Sequence, residues 1–500
     1  AGSDNLALNV IGDLGVGAGL SAGNTVSLTV TGAISQTGGT IGGTDVALTA
    51  GTTIGQSGGV IAATNFSAQS GGAVTLNDAN AVTNLTSVTV ASGDLAFTDN
   101  QTLTVAGPLS AANVTLTTTG DGALNLAGTI SAPTGTVDLE AAGAINQSGG
   151  AIKANALRGA SNGGATLLSS TGSTPNNVIA HLGPFINRGL GDIALSDSQA
   201  LIVDGGAVSS SNNLSLSANG ALTITSDVSA AGTMILSSSG TLKQTAGSIT
   251  AGTLETVSQG GTDLTQPNNQ IENLALAINS GSGAILIKDK RSLSVSGLFS
   301  NTAGMIAIET TRALTLGNSS FAAPGGVELG STGFTQTGTA SFATPLVVID
   351  ATGAALPQSV NAATARSMVA SFHPGGASGN IELTTISAPS VLLAANHGHI
   401  AGTVNAINLA VVGESGSAQL FGTIDNIAGP TAAQLVQKSG QLDNAYRFNS
   451  CAIGSVTCTV LPAIVPAKPA LLNIISILPQ QQQFNDPTIN LLNVGSEDLF

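Results

Sequence analysis

The chain has 500 residues and a net charge of −15, with 8% charged and 3% aromatic side chains, 65 glycines and no Trp. Charged residues usually make up about a quarter of a globular domain, so this composition excludes an ordinary set of globular domains. With 12 Lys and Arg against 27 Asp and Glu, the surface lacks the cations that neutralise phosphates, which excludes nucleic acid and disfavours anionic lipid and heparin-like partners.

Disorder requires low hydrophobicity, whereas the mean hydropathy here is +0.35. The apolar side chains are small and regularly spaced, which points to a thin, repetitive core. The opening "AGSDNLALNV" already reads as the middle of a strand pattern and has no signal peptide. The chain is therefore expected to be the C-terminal part of a longer one.

The first repeated phrase is "GAISQTGGTI" at 32–41. In fuller form it is apolar-x-apolar-x-x-x-Gly-x-apolar-x-Gln, met by Val26, Leu28, Gly32, Ile34 and Gln36. A copy shifted by one residue follows at Val46, Leu48, Gly51, Ile54 and Gln56, and further copies start at Val137 and Met234. Alternation of period two predicts short strands with apolar members on one side. Gly and Asn interrupt it every few residues, where tight turns need positive φ. Such short strands, repeating every 20 to 23 residues, predict an all-β fold: a single-stranded parallel β-helix. Ile34 and Ile41 are expected in the core, Gly38-Gly39 at a corner, and Gln36 stacked on Gln56 in an amide ladder.

A longer period overlies the short one. Ile179, Leu182, Ile193, Asp197, Leu201 and Val203 recur 92 positions on as Ile271, Leu274, Ile285, Asp289, Leu293 and Val295. A weaker earlier copy passes through Leu85, Leu95, Asp99, Leu103 and Val105. Superrepeats thus lie near 80–170, 175–266 and 267–345. Ninety-two is read as four coils of 23, so that each copy starts on the same face. Stacked about 4.8 Å apart, roughly twenty coils over 1–437 would make a rod of about 100 Å.

Chemistry-bearing residues are sparse. His397 and His399 project to one side of a predicted strand, and His373 lies about one coil earlier, so a three-His metal patch competes with exposed loop histidines. A β-helical polysaccharide lyase or hydrolase needs clustered carboxylates, yet Asp and Glu seldom neighbour each other here. The recurrence of Asp197 and Asp289 suggests a role in turns. No phosphate-loop or zinc-protease motif occurs. The chain is expected not to be an enzyme and to need no cofactor or catalytic metal. Asn-x-Ser/Thr at Asn65, Asn84, Asn100, Asn113, Asn213 and Asn318 is a secondary reading as glycosylation sites.

From 438 to 500 the character changes, with the one Tyr, both Cys, five of the 16 prolines and a four-Gln run. Proline removes ladder donors, so this segment is expected to be a short irregular Cys/Pro-rich tail. Cys451 and Cys458 suit a small disulfide loop; free thiols and a metal pair are the alternatives, and no His lies within fifty residues to complete a metal site. "ALLNIISIL" at 470–478 falls short of the roughly 20 apolar residues a spanning helix needs, so no membrane-spanning segment is expected.

The Gly-x-Ile-x-Gln-x-Gly-Gly phrases, the "PNN" superrepeats at Pro175 and Pro267 and the Thr/Ser/Asn/Gly/Val composition resemble the filamentous-haemagglutinin-like exoproteins of Gram-negative two-partner secretion systems. The resemblance covers nearly all of 1–437, while the secretion domain and its Asn-Pro-Asn-Leu type motifs are absent. It implies a right-handed solenoid, an outer-membrane transporter as secretion partner, a bacterial cell-surface location, and adhesion to a host-cell, matrix or glycan receptor. Cys451 and Cys458 resemble the anchoring loop of high-molecular-weight adhesins, although they lie farther from the end. The stalk of a contact-dependent toxin-delivery protein and a β-helical polysaccharide enzyme are the alternative readings.

Overall fold

A computed structural model describes residues 4–168, 170–171, 174–413, 417–429, 445–449 and 460–461. The chain divides into two compact units, residues 1–271 and 272–500. Both are parallel β-solenoids, with about 20 coils in total.

In the first unit the strands of the solenoid pair in parallel from one coil to the next, and the short strands Ser170–Thr171 and Thr174–Pro175 pair with each other antiparallel. Leu6 faces Val26, Val26 faces Val46 and Val46 faces Phe66. Burial alternates with period two along the strands, as in Val114–Thr118 and Leu214–Ala218. Val26, Ile34, Ile41, Val46, Ile54 and Phe66 are buried, as the repeat requires. Stacking like on like leaves inward side chains in continuous apolar columns, where each fully buried Val, Leu or Ile contributes about 1.5–3 kcal/mol.

The repeated Gln fixes the corner that follows it. Gln36 donates from Nε2 to the Gly39 carbonyl at 3.1 Å, and Gln56 and Gln244 do the same to Gly59 and Gly247 at 3.4 and 3.1 Å. Gly39 and Gly59 have φ of 68° and 90°, the left-handed region that glycine alone enters without strain. The Gln-x-Gly-Gly phrase is thus a turn whose inside is closed by its own amide. The expected ladder is present: Gln56 Nε2 donates to Gln36 Oε1 at 3.2 Å. On the outside, Asn24 donates to Asn5, Asn65 to Asp45, and Asn84 to Asn65.

The superrepeat does not return to the same face. Leu85, Val105, Leu126 and Gln147 form one column. Leu157, Leu182, Val203, Ile224 and Gln244 form another. Leu85 and Leu182 are equivalent in sequence, as are Gln147 and Gln244, yet each pair is split between the two columns. The 92-residue spacing behaves alike, because Asn177 and Asn269 bond to Gln147 and Gln244 in the two different columns; a copy therefore advances by whole coils plus one face, and the reading of four coils of 23 is corrected.

The cause is visible where faces exchange roles. The short stretch Val74–Leu76 and, after a corner, Asn80 stack together on the single strand Leu95–Asp99, while Leu85 and Val88 part to separate strands at Val105 and Leu109. The exchange recurs later: 165–167 and Asn177 converge on Ile193–Asp197, while Leu182 and Phe185 part to Val203 and Val208. Most coil steps span 19 to 23 residues, but Ala165 to Ile193 takes 28.

Each exchange is fastened by buried polar side chains. Asn80 and Gln56 form a reciprocal amide pair at 2.9 and 3.0 Å, and Asn80 Oδ1 also accepts the Ile61 N–H at 2.8 Å. Asn177 repeats this with Gln147 and Ile152, and Asn269 with Gln244 and Ile249. One coil further, Asp99 accepts the N–H groups of Val82 and Gln101, and Asp197 those of Ile179 and Gln199. The recurring Asp is a turn residue, as expected, and also ties the coil beneath it.

In the second unit Ile285, Ile306, Val327 and Val347 stack at steps of 21, 21 and 20 residues. Phe299, Phe321 and Phe342 stack face to face with centroids 4.7 and 5.1 Å apart. The step from Val347 to Val391 is 44 residues, because 351–380 leaves the solenoid as an excursion containing the helix Ala365–Ser371, which the period-two pattern did not predict. Beyond it, Val391 to Leu409 is a step of only 18. Ala445–Asn449 and Val460–Leu461 pair antiparallel with Ser417–Phe421 and Ile424–Ala428.

Candidate functional site

The excursion lies over strands whose two faces are both buried. Leu346–Asp350 and Ser390–Ala394 are buried at every position. Val347, Ile349, Val391 and Leu393 alternate with Leu346, Val348, Leu392 and Ala394, so one set fills the solenoid and the other faces the excursion. The helix forms because Thr364 and Ser367 make a capping box at its start. Its spacing puts Ala365, Met368 and Phe372 on one side, packed against Val348, Leu392, Ala410 and Val412.

The rest of the excursion is held by acids from three successive coils. Glu309 Oε2 accepts the Leu356 N–H at 3.2 Å, and Glu328 Oε2 accepts the Gln358 N–H at 2.8 Å. Asp350 Oδ1 accepts from Thr352 N and Oγ1 at 2.8 and 2.5 Å, and Oδ2 accepts from Ala354 N at 2.9 Å. Lys288 Nζ lies 2.7 Å from Glu309 Oε1. The far end is tied back by Gln358, which exchanges two hydrogen bonds with the backbone of His373, and by Asn396, which donates to the Gly375 and Ala377 carbonyls.

Burial pushes Glu328 up to about 7, against the Gln358 N–H and with help from the Asp350 charge. Burial likewise pushes Asp350 up to about 6, opposed by its bonds to Thr352 and Ala354. Both are almost fully covered by protein, at 1% and 0% exposure. They face peptide N–H groups of the excursion, which suits them to fastening it. Beside it a shallow depression of about 390 Å³ is lined by Gly353, Gln358, Ser359, His373, Pro374 and Gly375.

Comparison with protein-family models, curated proteins and solved structures found no match.

The sequence-derived candidates fall elsewhere. Cys451 and Cys458 lie outside the described residues. His373 borders the depression, and His397 and His399 lie about a coil later; among the described residues no group of three His, Cys, Asp or Glu is placed to hold a metal. Among the candidate glycosylation sites, the amide nitrogens of Asn65, Asn84, Asn113 and Asn213 already donate to Asp45, Asn65, Asp94 and Asp192. They are members of outer ladders. No helix among the described residues is long and apolar enough to cross a membrane.

Sequence reasoning missed Glu309, Glu328 and Asp350 because they are spaced like any other solenoid positions. The signal that could have found them is the loss of alternation in "LVVID" and "SVLLA", since unbroken apolar strands are covered on both faces.

Proposed function

We propose that the chain is a non-enzymatic structural adhesin: a β-solenoid stalk, displayed on a Gram-negative cell surface, that carries binding surfaces for a host-cell, matrix or glycan receptor. Export would use an outer-membrane transporter of the two-partner type, and Cys451 and Cys458 would form an anchoring loop. The supporting observation is that the coil is specified by structure-forming side chains. Gln36, Gln56 and Gln244 close their own corners, Asn and Asp fasten the exchanges of faces, and apolar columns fill the inside, so what varies for recognition is the outer surface and the excursion at 351–380.

The test is adhesion of cells displaying the chain together with its neighbouring transporter. Adhesion is expected with the transporter and lost without it, and Cys451→Ser is expected to release the protein into the medium. Equal adhesion with and without the displayed chain would reject the reading, and retention of Cys451→Ser at the surface would reject the anchor.

A further inference from the structure

Residues 351–380 are fastened in two chemically different ways. One end is apolar, with Met368 and Phe372 on Val348, Leu392, Ala410 and Val412. The other is polar, with backbone N–H groups of 352–358 on Glu309, Glu328 and Asp350. An outer strand face with nothing over it would keep such carboxylates in water. Here the excursion removes them from water and returns one peptide N–H each to Glu309 and Glu328. We propose that 351–380 is a strap with two states, closed over this face in mildly acidic surroundings and loosened above neutral pH, when it uncovers the apolar surface beneath.

The sign follows from the protonation of the two states. A carboxyl that is covered when closed and hydrated when open binds its proton more tightly when closed, as burial requires of Glu328 and Asp350. Closure is then fully favoured below the ordinary carboxyl range, and that advantage is lost as pH rises through about 6 for Asp350 and about 7 for Glu328. Protonation does not break the latch at Glu328, because Oε2 can still accept the Gln358 N–H while the other oxygen carries the proton. The charged groups facing the acids from the sheet are one another and Lys288, which pairs with Glu309. The strap contributes Arg366 and His373, both exposed, and Glu382 at the following strand is exposed as well. Between pH 5 and pH 8 the two groups together should weaken the closing equilibrium by several hundredfold, about tenfold of it from Asp350.

Hydrogen exchange on the full chain tests this, with protection corrected for the intrinsic pH dependence of exchange and the strand Ala313–Ala322 as internal reference. Protection of 352–372 should fall at least tenfold from pH 5 to pH 8 while the reference stays level. Glu328→Gln, which keeps an acceptor for Gln358 but cannot ionise, should hold the strap closed at pH 8 and flatten most of the profile. Met368→Asp, which removes the apolar fastening, should leave the strap unprotected at both pH values. Strap protection that tracks the reference across the range in the wild type, or a Glu328→Gln profile as steep as the wild type's, would overturn the proposal.

Discussion

Replacing Asn80 with Ala tests whether buried amides fasten the solenoid. Asn80 is fully buried. Its Oδ1 holds the Ile61 N–H and Gln56 Nε2, and its Nδ2 faces the Leu76, Asp78 and Thr98 carbonyls and Gln56 Oε1. Truncation leaves the Ile61 N–H against a methyl group and takes one partner from the Gln56 amide. The unpaired Ile61 N–H costs about 1–3 kcal/mol, and the bonds lost by Gln56, which keeps Gln36, Gly59 and Asp78, and by the Leu76, Asp78 and Thr98 carbonyls bring the total to about 4 kcal/mol. At 1.4 kcal/mol per tenfold, the Ile61 amide should exchange roughly a thousandfold faster. The control is Asn24→Ala, which removes a ladder bond to Asn5 at an exposed site and should change stability by no more than about 0.5 kcal/mol. If Asn80→Ala leaves Ile61 protection within threefold of wild type, the buried amide pair does not fasten the coil and the reasoning fails.

Three further outcomes are expected. Gly39→Ala should lower the urea midpoint by the equivalent of at least about 2 kcal/mol, because its φ is 68° and a Cβ would sit 2.2 Å from the Ala18 carbonyl carbon; Gly15→Ala, with open space around it, should be near neutral. Phe321→Ala removes the middle ring of the Phe299–Phe321–Phe342 stack and should cost about 3–5 kcal/mol in denaturant unfolding of the second unit. Burial pushes Asp99 up to about 6 and Asp197 up to about 7, so the folded state binds their protons more tightly than the unfolded chain. Protection of the Val82 and Ile179 amides, corrected for intrinsic exchange, should therefore fall on the order of ten- to a hundredfold from pH 5 to pH 8; a level or rising profile would contradict that sign.

The short repeat was legible because each of its letters has a local reason. Ile34 and Ile41 face inward, Gly39 needs positive φ, and Gln36 closes the corner, so a ten-residue phrase carries its own geometry. The superrepeat was legible as a repeat but not as a position. Leu85 and Leu182 occupy equivalent places in sequence on different faces of the coil, because a coil with several similar strands can change which of them is wide without changing its residues. Strand pairing decides that, and sequence spacing does not. The strap was illegible for a related reason. Glu309, Glu328 and Asp350 come together only once successive coils are stacked, and the segment that covers them interrupts the repeat and so lies outside its grammar.

The central claim, that this is a binding stalk and not a catalyst, is tested most directly by incubating the purified chain with host cells, matrix proteins and polysaccharides while following bound protein and released sugar in the same samples. Saturable binding to at least one of these surfaces, with no growth of reducing ends or unsaturated products, is the predicted result. Turnover of a pectin- or alginate-like polymer that a single Asp→Ala change abolishes would contradict it.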